Sequence, residues 1–195
     1  MSFIPESLLL ENNRVMLRRL TTADETNLLS FGMNEPELWR YSLLKASGKG
    51  GMHTYIQQAV KDWESGSSFP FIVYDKKMMQ YAGSTRYYDI QPEHKSLQIG
   101  YTWYGTAFQG TGINKNCKWL LLEYAFDVLE YERVEFRADA TNSRSIAAMK
   151  SIGCTVEGIL RSHVIKHDGV RRDSIILSIL KTEWHASIKQ ALLHK

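Results

Sequence analysis

The 195-residue sequence contains only two cysteines, Cys117 and Cys154. Two thiols are too few for a disulfide scaffold and fit a reducing compartment, so the expected location is the cytoplasm. No apolar run approaches the ~18–20 residues needed to cross a bilayer, and no membrane association is expected. The first eleven residues lack a basic start and are interrupted by Pro5 and Glu6. Leu8-Leu9-Leu10 is too short for the apolar core of a secretory signal. There is no internal repeat and no low-complexity linker, so residues 1–195 are read as a single domain, long enough to bury a substantial core. The net charge is small, +3. It would draw in a small anion, but there is no dense basic stripe with interleaved aromatics, so direct nucleic-acid binding is not expected.

What is present is the composition of an ordinary globular protein, 44% hydrophobic and 23% charged. Arg14 to Leu20 reads as a first strand, and Thr22 with Glu25 as the capping box of a helix. Ser47-Gly48-Lys49-Gly50-Gly51 reads as a flexible loop before a second helix, His53 to Glu64. Three strands follow, Phe69 to Tyr74, Tyr81 to Tyr88 and Ser96 to Tyr104, with the hairpin turn of the last two at Asp89 to Lys95. Strict alternation in the third puts Leu97, Ile99, Tyr101 and Trp103 on one face. A helix with Ile113, Cys117, Leu120, Leu121, Tyr124, Ala125 and Val128 at helical spacing leads to a strand, Arg133 to Asp139. Asn142 caps a short helix that ends near Gly153. A hairpin, Glu157 to Ile165 and Val170 to Leu180, turns at Asp168-Gly169, and a last helix spans Glu183 to Leu193. The order is α+β, a mainly antiparallel sheet with one strand-helix-strand unit at its centre.

Gln109-Gly110-Thr111-Gly112 lies between a strand and the start of an amphipathic helix. Free N–H groups and the helix dipole make such a turn suited to phosphate, and glycine lets the backbone come close to it. Lys115 and Lys118 lie in the first turns of the helix, near where further negative charge would sit. A tight turn with no ligand would use the same glycines. A Walker A loop is excluded because Gly112 is followed by Ile-Asn-Lys-Asn, and a dinucleotide fingerprint because the third glycine is replaced by Lys115.

Gln109-Gly110-Thr111-Gly112-Ile113-Asn114 resembles the pyrophosphate loop of the GNAT acyltransferases, matching at Gln109 and Gly112 and departing at Asn114. Asp139 to Ser145 resembles the Asn-x-x-Ser segment of that fold, and Ile152 to Arg161 resembles the LGA-x-x-EG-x-LR block that follows it. Asp168 to Ser174 and Leu177-Ser178-Ile179 continue the pattern. Together these are similar to the RimJ/RimL-like branch, the ribosomal-protein N-terminal acetyltransferases, over about Leu10 to Trp184. The resemblance implies a GNAT fold with a splayed sheet of about seven strands flanked by helices. It also implies acetyl-CoA as cosubstrate, held by Tyr101, Thr102 and Trp103, by Gln109, Gly110, Thr111, Gly112, Ile113 and Asn114, and by Asn142. The function it implies is transfer of an acetyl group to a primary amine, foremost a protein or peptide N-terminal amine. Small-amine acetylation and a non-catalytic acetyl-CoA-binding module are the alternatives.

Direct attack of an amine on a thioester needs an oxyanion donor, a base and a proton donor for the thiolate. The backbone N–H near Thr102 or Trp103 is the expected oxyanion donor, Trp103 foremost. The tyrosine that many GNAT enzymes use as proton donor is Met149 here, and the serine of the ribosomal branch matches Ser145, which could equally be a helix cap. The glutamates used as bases elsewhere in the family fall at Gln98 and Val164, leaving His163 and Asp173, with Glu37 and Asp89 on loops. Without a strong base, an α-amine of pKa ~7.7–8.0 is favoured, since neutralising it at pH 7 costs about 1 kcal/mol against about 4.6 kcal/mol for lysine.

His163 and His167 have zinc spacing only for a helix, and in a strand they stand about 13 Å apart, so no metal is expected. Cys117 reads as packing. Trp39, Tyr41, Trp63 and Phe69 read as core before acceptor cleft. Ser174 to Leu180 is apolar on both faces, which suits a homodimer or a covered strand.

Overall fold

The computed structural model describes residues 4–193. Its eight strands are β1 (Leu9–Glu11), β2 (Val15–Arg19), β3 (Ser68–Asp75), β4 (Gln80–Gln91), β5 (Ser96–Tyr104), β6 (Arg133–Asp139), β7 (Thr155–Ile165) and β8 (Arg171–Leu180). The helices that matter for the site are α1 (Glu25–Asn34), α2 (Gly48–Glu64), α3 (Ile113–Glu123) and α4 (Ser143–Ser151). The strands form one sheet in the order β1-β2-β3-β4-β5-β6-β8-β7. Sequential neighbours pair antiparallel except β5 and β6, which are parallel and bridged by α3. That parallel pairing holds only from Ser96 to Gln98 against Arg133 to Glu135. Beyond it the two strands run apart and leave a gap in the middle of the sheet.

Two hydrogen bonds at β4 identify the faces. Tyr87 on β4 donates to the Leu121 carbonyl of α3 at 2.5 Å. The Tyr55 hydroxyl on α2 donates to Ser84, also on β4, at 3.4 Å. Residues an odd number apart on a strand point to opposite faces, so α3 covers one face and α2 the other. Phe69, Phe71 and Tyr87 are buried in the layers this creates. Burying each such side chain stabilises the fold by roughly 1.5–3 kcal/mol.

The sheet has eight strands rather than about seven, because Leu9 to Glu11 adds an edge pair against β2. The first helix is capped at Thr21 with Asp24, one residue before the expected box, and Thr22 begins a short 3-10 turn. The glycines at 48–51 are the first turn of α2 and no loop. A Cβ on Gly51 would lie 2.9 Å from the Ala46 backbone, so glycine here permits a close chain crossing. β4 runs on through Gln91, and the hairpin turn is confined to Pro92–His94. After Glu123 the helix widens into a π turn, Tyr124–Val128, which rotates Val128 out to solvent. β8 lies between β6 and β7, with Ile175, Leu177 and Ile179 buried on one face and Ser174 and Ser178 on the other.

Candidate functional site

The glycine turn lies where β5 leaves the sheet. Gln109 donates through Nε2 to the Tyr104 carbonyl at 2.9 Å and accepts at Oε1 from Arg144 of α4 at 2.6 Å. It thus ties the turn to β5 and α4 together. Gly110 and Gly112 have φ of +74° and +86°, and nothing lies within 4 Å of a Cβ added to either. The left-handed backbone selects glycine here, and the space beside it is open. Asn116 N–H is the bond that closes on Gly112 O, at 3.2 Å, so the N–H groups of Ile113 to Lys115 precede the helical ladder. This open, donor-lined turn fits a pyrophosphate. Thr111 donates to the Phe108 carbonyl at 2.7 Å, and Asn114 is half-buried at the helix start. Lys118 does not serve the turn: it is buried and bonded to Thr102 and Thr85 under the sheet.

β5 carries a bulge. Ser84 registers with Trp103 and Arg86 with Gly100, so Thr85 alone faces both Tyr101 and Thr102. Tyr101 has φ +51°, in the left-handed region. The extra residue reverses the alternation, so Trp103 joins the α2 face with Ser84 while Leu97 and Ile99 stay with Tyr87 on the α3 face. The expectation that all four share one face fails for this reason. Gly105 N–H donates to Ala82 O at 2.9 Å. Counting back along the ladder makes Ser84 and Trp103 a closely bonded pair, and the Trp103 N–H is turned toward β4. The residues released from the ladder are Tyr101 and Thr102.

The bulge is gripped from both faces. The Arg86 guanidinium lies 4.4 Å from the Tyr101 ring centre and 4.8 Å from that of Tyr55. It is fully buried, with Asp62 its ion-pair partner at 3.2 Å, and its Nε and Nη2 have no hydrogen-bond partner among the described residues. Tyr88 packs edge-on against Tyr101 with centroids 5.2 Å apart, and burial pushes the Tyr88 phenol well up. Gly100 makes room for that ring, since a Cβ there would come within 2.6 Å of it. Arg86 was not legible as a site residue, because it belongs to no motif and a lone strand arginine reads as surface.

Asn142 accepts the Ser145 N–H at 3.1 Å and is the cap of α4. Ser145 is therefore no cap, and its hydroxyl has no hydrogen-bond partner among the described residues. Met149 is buried one turn on. On the far side of the gap, His163 pairs through Nδ1 with Ser174 Oγ at 3.0 Å. Burial first, then Arg137 and Arg172, lowers its pKa, so its imidazole is neutral at pH 7. Arg172, whose pKa burial lowers, donates through Nε to the same Ser174 Oγ at 3.2 Å and through Nη1 to the Tyr41 carbonyl at 3.3 Å. Asp173 accepts the Ser162 N–H at 2.7 Å and holds the left-handed turn at that residue. Asp89 accepts from Gln98 at 2.6 Å, and Glu37 is exposed on a short turn. Cys117 is packing: burial pushes its thiol up to about 12. Trp39 and Phe69 are core. Among the described residues no group of three metal-ligating side chains comes together, and no helix is long and apolar enough to cross a membrane.

Known proteins share this fold. The curated "Putative ribosomal N-acetyltransferase YdaF" of Bacillus subtilis (strain 168) is 26% identical over 183 residues, covering 89% of this chain and 94% of that protein. A GCN5-related N-acetyltransferase from Brucella melitensis has a crystal structure that superposes with TM-score 0.89 at 26% identity, covering 97% of this chain and 86% of that one. The ribosomal-protein-S5-alanine acetyltransferase from Vibrio fischeri shares the fold at TM-score 0.73 and 20% identity, covering 91% and 98% of the two chains. The family model for the acetyltransferase (GNAT) domain matches residues 14–155, from β2 through the glycine turn to the end of α4 and the start of β7. With the split sheet, the bulge and the turn in place, this chain belongs to the GNAT family of N-acetyltransferases.

Proposed function

We propose that this GNAT enzyme uses acetyl-CoA to acetylate the α-amine of a protein or peptide N-terminus, in the cytoplasm. The observation that carries the reading is the exposed bulge at Tyr101 and Thr102, set where β5 and β6 part and followed by the open glycine turn. Gln109 to Asn114 would hold the pyrophosphate through backbone N–H groups, and the amide nitrogen of Asn142 would meet the pantetheine arm. Tyr101, Thr102 and Trp103 would line that arm, and the Thr102 N–H would face the thioester oxygen. When bound there, acetyl-CoA supplies the activated acetyl group.

Ser145, whose hydroxyl is uncommitted among the described residues, is the donor to the departing thiolate. His163 is the proton acceptor, with its Nε2 free and its ring neutral at pH 7. An imidazole held below its usual pKa is a weak base. It suits an α-amine of pKa ~7.7–8.0 far better than a lysine amine near ~10.4. Asp173 is committed to Ser162 and serves to shape β7. The name of the B. subtilis relative, a ribosomal N-acetyltransferase, agrees with a protein N-terminus as acceptor.

The test is thiol release from acetyl-CoA with free N-terminal peptides, N-blocked lysine peptides, polyamines and aminoglycosides, with the product site found by mass spectrometry. Acetylation of free N-termini, cut about 10²-fold by Ser145→Ala, is expected. Acetylation of small amines alone would overturn the acceptor assignment. Acetyl-CoA binding without turnover on any acceptor would point to a non-catalytic binder.

A further inference from the structure

One buried charge has no part in the chemistry above. Lys118 is the only lysine buried among the described residues. It lies on α3 beneath the bulge, and its ammonium donates to Thr102 Oγ1 at 2.7 Å and to Thr85 Oγ1 at 3.2 Å. The titratable groups that face it are Cys117 on its own helix and Cys154 beyond α4, both pushed up to about 12 by burial and hence uncharged. From the sheet it meets the hydroxyls of Thr85 and Thr102. Behind Cys117 stand Tyr104, whose phenol is also raised by burial, and the Arg14–Asp75 ion pair.

Counting donors fixes the direction of this network. An ammonium only donates, so both threonine oxygens accept from Lys118. The two hydroxyls are 2.8 Å apart. Thr85 is fully buried, so its proton goes to Thr102. Thr102 Oγ1 then accepts twice, and its own proton is the one left over. The Gly100 carbonyl, 3.4 Å away, is too distant to hold that proton firmly. Thr102 is exposed at the bulge. The network therefore ends in a hydroxyl donor at the gap.

We propose that Lys118 is a positioning residue for acetyl transfer, which through Thr102 presents a hydroxyl donor to the negative charge that forms on the thioester. This inference rests on the acetyl-CoA reading above. In the transfer, the amine nitrogen bonds to the acetyl carbon and the carbon–sulfur bond breaks, with the electron pair going to sulfur. The amine proton leaves to His163, and the sulfur is protonated by Ser145, which regains a proton from solvent. Thr102 shares its proton with the developing charge and keeps it. A fixed donor backed by a cation in a water-poor site stabilises such charge far more than water does.

The arrangement costs stability, which a purely structural lysine would not explain. Burial lowers Lys118 to about 8, and an apolar residue of similar length would avoid that desolvation. Lys118→Met is therefore expected to melt at the same temperature or higher at pH 7, while kcat falls about 30–100-fold. KM for acetyl-CoA should stay within about threefold, the mark of an interaction made at the transition state. Thr102→Val should lose a comparable factor, Thr102→Ser should retain activity, and the Lys118→Met/Thr102→Val double variant should lose no more than the worse single.

A second readout needs no turnover. The thiol of bound CoA, followed by thiolate absorbance, should titrate about one pH unit lower in the native chain than in Lys118→Met. A folded Lys118→Met with kcat within about threefold of the native value would overturn the inference, as would losses that multiply in the double variant. If the native chain releases no thiol with any acceptor, the acetyl-transfer reading fails. The CoA titration then still decides the role of Lys118, and equal titration in both chains would end it.

Discussion

The glycine turn at Gln109 to Asn114 and the bulge at Tyr101 and Thr102 lie a few residues apart on one segment, yet they are held in place in opposite ways. In the turn, Gly110 and Gly112 take positive φ with open space beside them, and the bonds that brace it are half-buried or exposed. In the bulge, a tyrosine occupies the left-handed region, at a cost of roughly 1–2 kcal/mol for a residue with a side chain. It is held there by a buried arginine on one face and, through Thr102, by a buried lysine on the other. The contrast teaches that binding a phosphate needs only freed backbone and room. Aiming a donor at a reacting atom needs a geometry fixed from both sides, and here the fixing groups are charges that the fold would be more stable without.

The largest effect expected from this contrast is at Arg86. Arg86→Leu removes the cation stacked on Tyr101 and relaxes the bulge. Turnover should fall about 10²-fold with acetyl-CoA affinity within about threefold, checked by steady-state kinetics and calorimetry. The turn should behave the other way. Gly112→Val forces a β-branched residue to φ +86°, and acetyl-CoA affinity should fall about 10–30-fold while kcat at saturation changes little. If both variants lose kcat and affinity alike, the division of labour between the two regions is wrong.

Smaller, and independent of any ligand, is the pH dependence of stability. Lys118 has a folded pKa of about 8, below the ~10.4 of an unfolded lysine. Between those values the unfolded chain binds more protons, so stability should rise with pH across that window. Chemical denaturation at pH 8 and pH 10 should show that rise in the native chain and a flatter response in Lys118→Met. The smallest effect is at Thr111, whose hydroxyl makes one half-buried bond in the turn. Thr111→Ala should cost about 0.5–1 kcal/mol of stability, read from the denaturation midpoint, and leave kcat unchanged.

The turn was legible in the sequence because glycines, a preceding strand and a following amphipathic helix are local signals, and strand β6 was read at its observed bounds for the same reason. Asn142 could be named as a helix cap from its position alone. The bulge was not legible. An alternating strand predicts one face for Leu97 to Trp103, and only the register against β4 shows that Tyr101 breaks the count. Lys118 was misplaced because its spacing in α3 puts it near the phosphate turn along the chain. Its long side chain instead reaches the sheet, a tertiary choice that sequence spacing does not encode. The glycines at 48–51 read as a loop because of their low helix propensity, whereas in the structure they open α2 and Gly51 allows the close approach of Ala46.

The measurement that tests the account most directly is kcat/KM for a free N-terminal peptide as a function of pH from 6 to 10. This quantity reports the ionisations of the free enzyme and free acceptor. An α-amine acceptor raises activity up to about pH 8, and loss of the Lys118 proton near pH 8 lowers it beyond. The account predicts a maximum close to pH 8 whose alkaline fall is absent in Lys118→Met. A rate that climbs without a break to pH 10 would contradict both the acceptor and the role given to the buried lysine.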